Sequence, residues 1–169
     1  KGRMKKLIKY FDKFNSIESV SGHCDIPCKI YDPIVAQIGV LTMIRVVDLL
    51  EELNTSNDPT LTERAQFSRL VAQKEEHGLK VKEDIRVIWG DYFKTPQFDK
   101  FPEIHDLTHS IMLNCSKAKQ NISRDACVEL LEKVNRFAEI FWLSKDVNVF
   151  RQKCPYPPQL ELVYPDLKS

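Results

Sequence analysis

The sequence predicts an all-α protein: a four-helix bundle flanked by an irregular N-terminal segment and an extended, proline-rich C-terminal tail. Three observations favour this class. Four segments carry apolar residues three and four positions apart, the connections between them are short, and no segment alternates apolar and polar residues with a period of two. We therefore expect helices and no strands.

Size and charge restrict the function. The chain has 169 residues, 43% of them apolar and 29% charged, which is enough for one domain with a continuous core. A net charge of +1 provides no global field for binding nucleic acid or an anionic membrane. No apolar run approaches the roughly 20 residues of a membrane-spanning helix, so we expect neither partner.

The first helix is predicted to begin at Asp32 and Pro33, a carboxylate N-cap followed by a proline suited to the first turn. The segment after them is apolar over more than half of its circumference. A helix of this kind must be covered on two sides, either by another subunit or by a central position in the fold. Its apolar positions are Ile34, Ile38, Leu41, Ile44, Val47 and Leu50.

The other three helices have their own start signals. Thr60 and Glu63 form a capping box after a loop at 54–59, Pro102 opens the third helix, and Ser123 caps the fourth. The second helix carries one apolar stripe, made of Phe67, Leu70, Val71, Val81, Ile85, Ile88 and Tyr92. The final segment, CPYPPQLELVYPDLKS, holds four of the nine prolines, so we expect an extended tail lying across the bundle.

The first 22 residues differ from the rest of the chain. A basic amphipathic stretch, KGRMKKLIKYFDKF, is followed by the small polar run NSIESVSG. Its apolar centre is too short for a secretory signal peptide. The segment is either a removable pro- or targeting segment or an ordinary N-terminal helix. With a removable leader, the predicted organisation has four parts: a leader at 1–22, a metal-binding segment (the metal hook) at 23–33, the bundle at 34–146 and the tail at 147–169.

The motif GHCDIPC, residues 22–28, brings together an imidazole and two thiols. A structural zinc site would need two further ligands, a disulfide would close a small strained loop, and a redox dithiol of the thioredoxin type has two intervening residues, not three. The other metal-like pair is His105 and His109, but Asp106 replaces the glutamate of a zincin. An edge-of-core role explains that pair better. Cys115 and Cys127 are predicted to be small buried hydrophobes.

Cleavage after Gly22 would turn the motif into a planar chelate. His23 would gain a free α-amine, and the Cys24 amide nitrogen and thiolate would close two fused five-membered rings with a metal. Cys28 would supply the fourth donor, with Pro27 restricting the chain between them. A planar set of two nitrogens and two sulfurs suits Ni(II) or Cu(II) rather than zinc. The His23 imidazole could then bind axially, and the anionic donors favour a one-electron redox centre.

With these residues the sequence resembles the nickel superoxide dismutase family. The first matching block contains His23, Cys24, Asp25, Pro27, Cys28 and Tyr31. The second is IRVIWGDYFKTPQFDKFPEIH at 85–105, and IFW at 140–142 resembles the end of the family's last helix. The resemblance runs from about 23 to 145.

The resemblance implies a homohexamer with one nickel ion per subunit, a propeptide removed by a protease that cleaves Gly22–His23, and disproportionation of superoxide. It implies that His23, Cys24 and Cys28 bind nickel and that Asp25 braces the hook. It also implies that Tyr31 and Tyr92 stand over the open face and that Lys94 steers superoxide. We expect a cytoplasmic protein, although the basic leader leaves organelle targeting open.

Three positions depart from the family pattern. Lys29 replaces a frequent glycine, Gly39 a glutamate that orients the axial imidazole, and His77 an arginine of the same network. Loss of such partners can retune a metal site. The rival hypothesis is therefore a metal-binding or structural helical protein that retains the hook without catalysis.

Overall fold

The structure, a computed structural model, describes residues 29–53 and 58–168. The predictions for the leader and for His23, Cys24, Asp25 and Cys28 lie outside the described residues. The helices are α1 (Ile34–Leu53), α2 (Leu61–Val87), α3 (Thr95–Lys100), α4 (Ile104–Gln120) and α5 (Arg124–Leu143), with a π-helical turn at Ile88–Tyr92. Two strands follow, β1 (Val149–Lys153) and β2 (Glu161–Pro165).

The four long helices form the predicted bundle. Helix α2 packs against α1 and α4, and α5 packs against the same two helices from the other side. Their inward faces form one continuous apolar core, to which Phe93 and the hairpin residues Cys154 and Leu162 also belong. No helix among the described residues has both the length and the hydrophobicity needed to cross a membrane.

The predicted start signals operate as expected. The Asp32 carboxylate accepts a hydrogen bond from the Ile34 amide (2.9 Å). Thr60 and Glu63 form a reciprocal capping box, and Ser123 Oγ accepts from the Ala126 amide. Helix α4 begins two residues after the predicted start at Pro102, because a turn first ties the Ile104 amide to the Phe101 carbonyl (3.1 Å). Residues Thr95–Lys100, between the second and third predicted helices, form the short helix α3.

Helix α1 occupies a central position, which accounts for its wide apolar surface. It is covered by α2 and α5, and the Gln37 side chain reaches the hairpin. Val35 and Ile38 remain 55% and 45% exposed on its outer face. The buried positions are Ala36, Gln37, Gly39, Val40, Leu41, Met43, Ile44, Val46, Val47 and Leu50.

The predicted stripe along α2 is wrong in its first half. Phe67 is 41% exposed, and burial on this helix begins at Lys74. The cause is length: α2 has 27 residues, whereas α1 has 20 and α4 has 17. At 1.5 Å per residue its first turns extend past its neighbours.

Two glycines bring α2 close to its neighbours. A Cβ atom on Gly39 of α1 would lie 2.8 Å from Val81 Cγ2 and 3.8 Å from the His77 carbonyl oxygen. A Cβ atom on Gly78 would lie 2.4 Å from Lys119 Cγ. The 2.8 Å and 2.4 Å distances are shorter than ordinary van der Waals contact. A side chain at either glycine would displace its neighbour, so the present helix separations depend on the absence of a side chain there.

The expectation that the chain has no strands is wrong. β1 and β2 form an antiparallel hairpin with a register that runs from Val149 opposite Pro165 to Lys153 opposite Glu161. The tail is therefore a folded unit rather than an unpaired extended segment. Periodicity missed β2 because Leu162 and Val163 are adjacent in sequence and both are buried.

Two buried amide side chains dock the hairpin. Asn135 Oδ1 accepts hydrogen bonds from Gln37 Nε2 (2.8 Å) and from the Val163 amide (3.3 Å), and Asn135 Nδ2 donates to the Glu161 carbonyl (2.9 Å). Gln37 Nε2 also donates to the Val163 carbonyl (3.1 Å). The two amides thus hydrogen-bond to the edge of β2 that faces away from β1, as the peptide groups of a third strand would.

A buried lysine closes the C-terminal end of α4. Lys74 is 1% exposed, and its ammonium donates to the carbonyl oxygens of Ala118 (2.9 Å), Lys119 and Asn121 (3.0 Å). These carbonyls lie at the negative end of the helix dipole and lack partners within the helix. Lys74 therefore joins the middle of α2 to the end of α4.

We expect Lys74→Met to lower the free energy of unfolding by about 2 kcal/mol, because methionine fills the space but leaves carbonyls without a donor. Lys80→Met is the control, since it removes only an exposed ion pair with Glu76 (2.7 Å) on the same helix and should cost under about 0.5 kcal/mol. Urea unfolding measures both. Equal losses would refute the capping role of Lys74.

We expect Asn135→Leu to destabilise the protein by about 2 to 3 kcal/mol and to expose the hairpin to trypsin at Arg151 and Lys153, because Gln37 and β2 lose buried partners. Arg151→Met is the control. It changes a residue of the same hairpin and removes only its surface ion pair with Glu132 of α5 (2.8 Å). Urea unfolding and limited proteolysis, with cleavage of the variants compared at the shared Lys153, test the pair. A hairpin of Asn135→Leu as resistant as that of the control would contradict the docking role.

Candidate metal centre and its tyrosine pair

The predicted metal hook joins the described fold at Lys29. Lys29 has φ of 58°, in the left-handed region that glycine adopts without steric cost. Its side chain is exposed, so the chain accommodates a lysine there at the expense of backbone strain. The turn then leads through Tyr31 to the Asp32 cap of α1.

The structure brings together two of the predicted site residues, Tyr31 and Tyr92. Their ring centroids are 6.1 Å apart and their planes are inclined by 54°. Tyr31 also lines an open groove of about 250 Å³ between the start of α1 and the end of α2. In the sequence, Tyr31 follows the predicted ligand Cys28 by three residues.

The π-helical turn positions Tyr92. The Phe93 amide bonds to the Ile88 carbonyl (3.4 Å), five residues earlier, before the chain leaves the helix. The Tyr92 ring packs against Phe93 (5.0 Å) and Phe141 (4.8 Å), with Phe93 itself buried in the core. Single π-turns of this kind occur often at functional sites.

The Tyr92 hydroxyl is bound to the end of α5. Its oxygen lies 2.7 Å from Ser144 Oγ, and Ser144 Oγ lies 2.7 Å from the Phe141 carbonyl oxygen. A carbonyl only accepts, so the serine proton points to Phe141. Tyr92 is therefore the donor to Ser144.

Two lysines lie beside Tyr92. Lys145 Nζ sits over the Tyr92 ring, 4.5 Å from its centroid, and 5.0 Å from the Phe141 centroid. Lys94, the predicted steering residue, is exposed and donates from Nζ to the Gly90 carbonyl (3.0 Å). Ser144 and Lys145 were not among the predicted site residues. Their only sign of a role in the sequence was their position just after the IFW block.

Two of the departures from the family pattern, Gly39 and His77, lie together between α1 and α2. The His77 carbonyl is 3.8 Å from the point where a Gly39 side chain would begin, and Val81 occupies the space beyond it. Burial, followed by the nearby charge of Lys80, lowers the pKa of His77 from its ordinary value. The neutral imidazole therefore does not reproduce the fixed charge of an arginine.

The other candidate residues have structural roles. His105 is exposed, and its Nδ1 accepts a hydrogen bond from Trp89 Nε1 (3.2 Å). Cys115 and Cys127 are fully buried, and burial raises the pKa of each thiol to about 11. Within residues 29–53 and 58–168, no three His, Cys, Asp or Glu side chains cluster in a way that could hold a metal ion.

Comparison with known proteins points to one family. The profile of the nickel-containing superoxide dismutase family matches residues 18–145. The chain is 33% identical to superoxide dismutase [Ni] of Streptomyces coelicolor over 127 residues, covering 75% of this chain and 91% of the relative. For the Streptomyces seoulensis enzyme the identity is 32% over 127 residues, with 75% and 90% coverage.

A solved structure of native nickel superoxide dismutase superimposes with a TM-score of 0.62 at 32% identity. The match covers 73% of this chain and 99% of the solved one. The β1–β2 hairpin lies beyond the end of the matched family region at 145. The bundle, the Tyr31–Tyr92 pair and the N-terminal motif lie within it, and the chain belongs to the nickel-containing superoxide dismutase family.

Proposed function

We propose that this protein disproportionates superoxide with nickel held by the new N-terminus at His23. Two superoxide anions and two protons give one O2 and one H2O2, so one substrate molecule loses an electron and the other gains it. The observation that carries the proposal is the His23–Cys24 adjacency with Cys28 four residues later, placed directly before the Tyr31 turn. As a member of this family the protein is an oxidoreductase with a nickel cofactor.

The donor chemistry fits nickel. The α-amine of His23, the deprotonated amide and thiolate of Cys24 and the thiolate of Cys28 would form an electron-rich set that suits Ni(II), and the His23 imidazole would be a further donor. Nickel in such a set supplies one-electron exchange between Ni(II) and Ni(III). The amine exists only after cleavage of Gly22–His23, so we propose that residues 1–22 are a propeptide.

The described residues supply the approach to this centre. We propose that Tyr31 and Tyr92 together admit a small anion and exclude larger molecules, that Asp25 braces the hook, and that Lys94 contributes positive charge. The 6.1 Å contact between the tyrosine rings supports a shared role. We further propose the family's homohexamer; the exposed Val35 and Ile38 on α1 are consistent with a subunit contact.

A second candidate function is a metal-binding or structural bundle that retains the hook without turnover. Gly39 and Val81 favour it, because Val81 fills the space in which a glutamate at 39 would orient the imidazole. Superoxide consumption by the nickel-loaded protein separates the two candidates.

We expect a chain that begins at His23 to bind one nickel ion and a chain that begins at Gly22 to bind it far more weakly. The two differ by one glycine, which locks the His23 nitrogen in a peptide bond. Nickel content after gel filtration and the thiolate-to-nickel absorption band measure the difference. Equal nickel content and identical spectra would contradict the role of the α-amine.

We expect Cys28→Ser to lose nickel binding and dismutase activity by more than about 100-fold, beyond the range of a change in an outer-shell partner. Cys154→Ala is the control, because it also removes a thiol, one that is buried in the hairpin and donates to the Tyr156 carbonyl (3.2 Å). Full activity in Cys28→Ser would exclude the second thiolate from the site.

A further inference from the structure

Lys145 is an exposed cation that lies against the Tyr92 ring at this end of the bundle. Among the described residues no carboxylate lies within 4.0 Å of its Nζ, whose contacts are the faces of Tyr92 and Phe141. The adjacent Asp146 is paired with Lys100 (3.1 Å). Lys145 therefore keeps an exposed positive charge without an ion pair to the described residues.

The position of Lys145 is fixed by the fold rather than by a flexible side chain alone. The Lys145 amide bonds to the Trp142 carbonyl (3.0 Å), and Asp146, with φ of 59°, turns the chain toward β1. The neighbouring Ser144 holds the Tyr92 hydroxyl (2.7 Å). One turn thus presents a hydroxyl to the edge of Tyr92 and an ammonium to its face.

We propose that Lys145 draws the superoxide anion to the Tyr31–Tyr92 pair. This inference rests on the proposed function. Tyr92 contacts both the ammonium and Tyr31, and Tyr31 follows the predicted ligand Cys28 by three residues in the sequence. A cation beside a narrow approach raises the local concentration of a small anion and its association rate. Lys94 donates to the Gly90 carbonyl, whereas the Lys145 ammonium lies directly over the Tyr92 ring.

The test compares nickel-loaded wild-type protein with Lys145→Met, which keeps the length of the stem and removes the charge. We expect the second-order rate constant for superoxide to fall about threefold at 10 mM ionic strength. The two rate constants should converge near 1 M salt, where the Debye length is about 3 Å. Lys145→Glu should lose about tenfold, and Lys145→Arg should retain the wild-type rate.

The matched control is Lys153→Met, which makes the same change in net charge at an exposed position on β1. It should leave the rate and its salt dependence unchanged. Equal behaviour of Lys145→Met and Lys153→Met would overturn the proposal. An inactive nickel-loaded wild type would instead refute the proposed function.

Iodide quenching of tryptophan fluorescence provides a readout that does not depend on turnover. Trp142 packs on Phe141 (5.0 Å between centroids), so an anion attracted by Lys145 comes close to it. We expect the iodide quenching constant at low salt to fall in Lys145→Met, while quenching by neutral acrylamide stays the same. An unchanged iodide constant, or an equal fall with acrylamide, would count against attraction of anions.

Discussion

The burial of α1 between α2, α5 and the hairpin is the constraint on which the rest of the structure depends. In the sequence the predicted metal ligands come directly before α1, so the start of α1 sets where the described fold begins. Three contacts fix that start: the Asp32 cap, the close approach of Gly39 to Val81, and the hydrogen bonds of Gln37 to Asn135 and β2. The cap is local to α1, and the other two contacts join α1 to α2, to α5 and to the hairpin, so the start of α1 is positioned by the core.

The sequence predicted those parts of the fold that local chemistry determines. The caps at Asp32, Thr60 and Ser123 depend on residues three or fewer positions apart, and they are present. The hairpin was missed because its strands are held by amides 26 to 126 residues away, which no local period records. The nickel ligands were recognisable because their spacing is a matter of covalent ring size, and they remain predictions here.

Within the site, sequence reasoning found Tyr31 and Tyr92 through the family resemblance, whereas their contact is a result of the fold. Ser144 and Lys145 were invisible because a serine and a lysine at a helix end are ordinary. Only the turn after α5 brings them to Tyr92. That turn leads into the hairpin, which lies beyond the matched family region. Within the hairpin, Arg151 of the outer strand β1 lies opposite Val163 of β2. A charged residue therefore stands on the open edge, where it discourages pairing with a further strand.

The direction of one hydrogen bond has a consequence for proton supply. Disproportionation consumes two protons for each peroxide formed. Ser144 donates its only proton to the Phe141 carbonyl, and Tyr92 donates its own to Ser144. If Tyr92 released its proton to the product, its ionised oxygen would need a hydrogen-bond donor. Ser144 could donate to that oxygen only by giving up its hydrogen bond to the Phe141 carbonyl. Under the proposed function, Tyr92 would therefore act as a wall of the approach, and the protons that complete the peroxide would come from another donor.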